Sequence, residues 1–233
     1  MSERVNILLV HGAWADGSPW SRVIPILQRA GHHVVAVQNQ LASLRGDIKN
    51  TRRARDALDG PTLIVGHSYG GAVVSGAATG TTNVIGLVYL AALALEEGES
   101  LGGIVGRFPP LEVWSHVRGD SAGMLTIDPD AFPAHVAGDV DLVTARVLAA
   151  TRRPFAVAIN DEKVGAPAWR RYRSWYLVAE DDRILHPDAQ RFMAAHAHAT
   201  TTALRSSHAV LVSHPSETAD LILHAAGTGI ALA

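Results

Sequence analysis

Three short stretches of this sequence carry residues that could do chemistry together. Gly66-His67-Ser68-Tyr69-Gly70 fits the G-x-S-x-G pattern, a sharp strand-to-helix turn that exposes a serine hydroxyl. A serine hydroxyl is a weak nucleophile until a neighbouring base takes its proton. The pattern occurs three times in this chain, so context must select. Ser68 alone follows an apolar run (Thr62-Leu63-Ile64-Val65) and opens a helix of small residues (Gly70-Gly71-Ala72-Val73). Ser100 follows the polar Glu96-Glu97-Gly98 and Ser121 follows Arg118-Gly119-Asp120, both loop-like. Ser68 is therefore the candidate nucleophile.

The base should be a histidine late in the chain, after an acidic residue. Of twelve histidines, His208 is the candidate, because it follows a strand-like segment within Ser206-Ser207-His208 and precedes the last helix. His214 lies six residues on, beside Pro215, and His224 falls inside that helix. His196 and His198, two apart at a helix end, do not share a face and suggest no metal pair. The acid should follow the fifth strand, where Glu180-Asp181-Asp182 stands. A carboxylate there would fix the imidazole tautomer and stabilise the imidazolium. The run itself does not choose among the three, and Glu96 or Glu97, past the fourth strand, offers a variant layout. An oxyanion needs two N–H donors. The residue after the nucleophile, Tyr69, supplies one, and Ala13 in the loop His11-Gly12-Ala13-Trp14 supplies the other.

These residues need a scaffold that brings strand ends together. Apolar runs read as strands at Val5–Val10, Val34–Val37, Thr62–Val65, Val84–Ala91, Trp175–Ala179 and Thr202–Arg205. Helices are expected at Trp20–Ala30, Asp47–Leu58, Tyr69–Ala78, Pro187–His196 and Ser216–Ala226. Strands apolar on both faces and separated by helices predict an α/β fold. Its sheet is mostly parallel and six-stranded, with helices on both faces. Residues 1–95 and 174–233 form this core. Residues 96–173 interrupt the alternation, with no good strand and with helical patterns at Pro129–Ala150 and Pro154–Ile159. They read as a small helical cap inserted after the fourth strand, above the strand ends where such folds bind ligands. Trp14, Tyr69, Phe108, Trp114, Phe132 and Phe155 are the aromatic residues expected to line a pocket beneath it.

Composition sets the outer limits. The chain has 233 residues, 48% hydrophobic and 18% charged, too apolar for a disordered protein. It has no cysteine, which excludes disulfides, thiolate metal sites and a cysteine nucleophile. A net charge of −2 favours neither nucleic acid nor anionic membrane. No apolar run approaches the ~20 residues of a membrane span, and the N-terminus lacks the pattern of a secretory signal. A cytoplasmic protein is expected, without cofactor or metal; a homodimer is left open.

With these residues in place, the chain resembles the α/β-hydrolases from Val5 to Leu223. It is most similar to the small-cap branch of plant methyl-salicylate esterases, hydroxynitrile lyases and many bacterial carboxylesterases. The shared segments are Leu9-Val10-His11-Gly12-Ala13, Gly66–Gly71, Tyr176–Gln190 and Ser207-His208. In that branch the acid stands directly before a short basic or polar residue and an aliphatic pair. The resemblance thus selects Asp182, in Asp182-Arg183-Ile184-Leu185, over Asp181. Lyases of the branch carry a lysine after the catalytic histidine and a threonine in the first loop. Here Ala209 and His11-Gly12-Ala13 stand instead. The resemblance implies a serine hydrolase acting on a small or medium apolar ester or a lactone. A ligand-binding member, a perhydrolase or a lyase is the alternative.

Overall fold

The computed structural model describes residues 4–230. The first four strands are β1 (Asn6–Val10), β2 (His33–Val37), β3 (Thr62–His67) and β4 (Val84–Leu90). Three short strands follow, β5 (Val117–Gly119), β6 (Met124–Ile127) and β7 (Phe155–Ala156). Then come β8 (Ser174–Ala179) and β9 (Thr200–Leu204). The main sheet has the order β2-β1-β3-β4-β8-β9, and every pairing in it is parallel. This is the expected α/β-hydrolase architecture. β3 and β8 are buried along their whole length, which explains their unbroken apolar character.

Side chains of β1 alternate between two cores. Leu8 and Val10 pack with helices α2 (Leu44–Asp56), α3 (Gly70–Ala77) and α7 (Pro187–His196). Ile7 and Leu9 pack on the other face with α1 (Ile24–Arg29), α8 (Val210–Ser213) and α9 (Pro215–Ile230). This is the period-2 alternation of a strand covered on both sides. From β1 the chain winds outward to β2, then returns past β1 to β3. The direction of winding reverses between β1 and β3, and the loops leaving those two strands open a crevice there. His11–Trp14 and Ser68 lie in those loops.

The cap departs from expectation. It holds α4 (Leu101–Val105), α5 (Phe132–Val136) and α6 (Leu142–Thr151), but also an antiparallel sheet in the order β5-β6-β7. These strands have three, four and two residues, and Arg118 and Gly119 are exposed. So short a ladder rests on backbone bonds and leaves no apolar period in the sequence. The helix expected over Pro129–Ala150 is broken into α5 and α6 around Gly138 and Asp139, and Asp141 caps the second by accepting from Thr144 N at 2.9 Å. The expected helix at Pro154–Ile159 is β7 followed by a 3₁₀ turn. The first helix is also split, into a 3₁₀ turn (Ser18–Arg22) and α1, whose first turn carries Pro25, a residue without an N–H.

The cap is fastened to the core at several points. Trp14 Nε1 donates to Leu125 O at 2.9 Å, and Ala156 N donates to Leu41 O at 2.9 Å. Among the described residues, no helix is long and apolar enough to cross a membrane.

Candidate active site

Ser68 ends β3 in a left-handed conformation, with φ of 55°. That geometry is costly for a residue with a Cβ and persists only where surrounding structure imposes it. Its backbone is held on both sides. Ser68 N donates to Leu90 O at 3.1 Å, and its carbonyl accepts from Gly71 N and Leu93 N, both at 3.0 Å. Trp14 and Ala91, after β1 and β4, also have positive φ. Three of the five positive-φ non-glycine residues among those described thus stand at the ends of the adjacent strands β1, β3 and β4, the others being Leu41 and His198. Two glycines are required by close approach. A Cβ at Gly66 would stand 2.6 Å from Gly70 O, and one at Gly12 would stand 2.7 Å from Ser68 Cβ.

His208 lies between β9 and α8, buried, with Nδ1 2.7 Å from Asp182 Oδ2. Asp182 is itself a hub. Its Oδ1 accepts from Ile184 N at 2.7 Å and Leu185 N at 3.0 Å, and its Oδ2 also accepts from Gln190 Nε2 at 2.7 Å. Gln190, wholly buried on α7, bridges further to Leu185 O and Ala179 N. Four donors fix the carboxylate, so the imidazole is presented in one orientation, with Nδ1 protonated and Nε2 left for proton transfer. The other acids of the run point elsewhere. Asp181 lies 3.6 Å from Arg205, and Glu180 pairs with Arg191 at 3.0 Å. Glu96 pairs with Arg170 and His196 on the surface.

Two more histidines frame the pair. His67 Nε2 donates to the carbonyl of His208 at 2.9 Å. Burial, reinforced by the neighbouring His208, pushes its pKa down to about 3, so it is a neutral strut. His11 accepts from Asn39 N at Nε2 (3.0 Å), so its other nitrogen carries the proton and donates to Gly12 O at 2.9 Å. Burial lowers the pKa of His11 as well. Because a trans peptide opposes its C=O and N–H, anchoring Gly12 O at His11 turns the Ala13 N–H the other way.

The His208 loop is also tied to the cap. Asp139 accepts from Ser207 N at 3.0 Å and from the Ser207 hydroxyl, and Ala209 N donates to Val136 O at 3.0 Å. These bonds hold Asp139 ionised, its pKa below the ordinary value despite the opposing effect of burial. The residues on both sides of His208 thus belong to cap contacts. Gln190, His67, His11 and Asp139 are the positioning residues that motif reading overlooked. Asp182 to Gln190 is an eight-residue spacing across a loop and a helix start, which no motif records.

Two apolar cavities meet at this point. One is lined by Ser68, Tyr69, Trp114 and Phe155, the other by His67, His208, Phe132 and Val136, and both touch Ala13, Trp14 and Ile184. Tyr69 is pinned from outside, its hydroxyl donating to Asp47 at 2.9 Å while its ring meets Phe155 edge-on at 5.2 Å. Burial and the Asp47 charge push the Tyr69 phenol pKa far above its ordinary range, so it stays neutral. Phe108, expected in the lining, is not there. It stacks on His186 at 6.1 Å and packs against Phe192, on the outer side of α7. Its Gly- and Pro-rich surroundings gave no indication of direction. Ser100 caps α4, and Ser121 is exposed in the β5–β6 turn, away from His208.

Residues 7–221 match the model of the alpha/beta hydrolase family. The carbendazim hydrolyzing esterase of Nocardioides sp. (strain SG-4G) is 36% identical over 121 residues, a match that spans 46% of this chain and 50% of that protein. In structure, the chain is similar to polyneuridine aldehyde esterase, with a TM-score of 0.81 and 17% identity over 95% of this chain and 99% of that one. A pyrethroid hydrolase from Sphingobium faniae JZ-2 gives a TM-score of 0.81 at 21% identity, covering 96% and 98%.

Proposed function

The chain belongs to the alpha/beta hydrolase family, and on that premise we propose that it hydrolyses carboxylic esters through an acyl-enzyme on Ser68. The observation that carries this reading is the buried His208–Asp182 pair at 2.7 Å, tied at 2.9 Å through the His208 carbonyl to His67, the residue directly before a serine held at φ 55°. Ser68 attacks the carbonyl carbon while His208 Nε2 takes its proton, and Asp182 stabilises the imidazolium. The N–H groups of Ala13 and Tyr69 receive the oxyanion, Tyr69 standing at the positive end of the α3 dipole. His208 then protonates the leaving alcohol, and water activated by the same imidazole releases the acid.

The two cavities give the substrate its shape. The alcohol must leave beside His208, so it occupies the cavity that His208 lines, and the acyl chain takes the one lined by Ser68 and Tyr69. Both walls are chiefly apolar, which fits a small or medium uncharged ester or a lactone. One protein of similar structure is named as a pyrethroid hydrolase. Ala209, which follows His208, offers no cation to a departing cyanide, and mandelonitrile is not expected to be cleaved. The test is Ser68→Ala on 4-nitrophenyl acetate. Loss of turnover together with loss of fluorophosphonate labelling is expected; undiminished turnover would sink the assignment.

A further inference from the structure

A second convergence of donor atoms lies in the cap. Glu112 and His116 bound one 3₁₀ turn, and His135 projects from α5. One donor atom from each lies within 4.8 Å of the other two, and among the described residues this is the one such group of three. The rings of His116 and His135 stand 5.0 Å apart, tilted by 35°. His135 is 7% exposed, and its Nδ1 is buried with no hydrogen-bond partner. Buried imidazole nitrogens are ordinarily satisfied, and this one has no hydrogen-bond partner within the protein.

We propose that Glu112, His116 and His135 form a binding site for a divalent transition-metal ion, Zn²⁺ above all. Two imidazoles and one carboxylate are the nitrogen-rich donor set that Zn²⁺ accepts, whereas Ca²⁺ and Mg²⁺ want oxygen. Three atoms at the vertices of such a triangle lie about 2.8 Å from its centre, against metal–ligand bonds of about 2.0–2.2 Å. Each side chain must close by less than about an ångström, and torsions of the exposed Glu112 and half-buried His116 suffice for that. A fourth position is left for water.

The location gives the site a role. Trp114, between Glu112 and His116, lines the Ser68 cavity, while Phe132 and Val136, flanking His135, line the His208 cavity. An ion here would staple the two cavity walls together from outside. It takes no part in the acyl chemistry, so the site stands independently of the esterase reading.

The experiment is Co²⁺ titration of the full-length, chelator-treated protein, followed by visible d–d absorption and calorimetry, with Zn²⁺ as competitor. One equivalent should bind with an intensified, low-coordinate spectrum that Zn²⁺ erases. His135→Ala should abolish it, and Glu112→Gln and His116→Ala, at accessible positions that leave the fold intact, should each weaken binding tenfold or more. Equal affinity in wild type and all three variants, or only the pale spectrum of hydrated Co²⁺, would overturn the proposal.

Discussion

The six-stranded sheet and the three-stranded sheet close on the same two cavities from opposite sides, and they do so by different means. The large sheet holds its residues rigidly. Ser68, Trp14 and Ala91 are kept in strained backbone conformations by strands buried on both faces. The small sheet contributes side chains such as Phe155 and, through Leu125, the carbonyl that fixes Trp14, from strands of four and two residues beside the partly exposed β5. A buried parallel sheet can store strain because many packed contacts resist its relaxation. A short antiparallel ladder cannot, and suits a wall whose shape varies. Under the proposed function, the division would give chemistry to one sheet and selectivity to the other.

The largest effect should come from the rigid side. Asp182→Asn leaves the pocket in place but removes the charge that sets the His208 tautomer, and kcat should fall by roughly 10⁴-fold with KM little changed. Steady-state kinetics on one good ester decide it, and a drop confined to KM would contradict the role.

Asp139 is where the comparison should break. It lies in the cap, yet it accepts from both the N–H and the hydroxyl of Ser207, next to His208. Asp139→Ala should lower kcat by about tenfold to a hundredfold, on the scale of a lost charge-assisted hydrogen bond, across all esters alike. Trp114→Ala, also in the cap, should instead change KM a few-fold and differently for short and long acyl chains. An equal, ester-independent loss of kcat in Trp114→Ala would end the division of labour.

The smallest effect concerns stability. His67 and His11 are buried neutral, with pKa values below that of a free imidazole. The unfolded chain takes up their protons below about pH 6.5 while the folded chain resists, so stability present above that pH falls on acidification, for His67 down to about 3. His67→Gln should lower the melting temperature at pH 7 and flatten its decline between pH 6.5 and 4. A decline as steep as that of wild type would remove His67 from the account.

What was legible in the sequence follows the same divide. β3 and β8 announce themselves as apolar runs because both faces are buried, and the glycines around Ser68 are forced by contacts shorter than a Cβ allows. β5, β6 and β7 leave no such trace, since strands of two to four residues are too short to display an alternation. Asp182 could be separated from Asp181 by resemblance alone; the donors that sort them, Ile184 N, Leu185 N and Gln190, act through a loop shape that spacing does not encode. Phe108 was misplaced for a related reason: its neighbourhood in the chain says nothing of the side of α7 it meets.

The bonds from Asp139 to Ser207 and from Ala209 to Val136 make the cap a poor candidate for exchange. A lid hinged at its ends could be transplanted between relatives as a cassette. Here the residues immediately before and after His208 are partners of the cap itself, so a grafted cap must bring its own acceptor for Ser207 or it will loosen the base it covers. Selectivity in this scaffold is better altered one wall residue at a time than by replacing the roof.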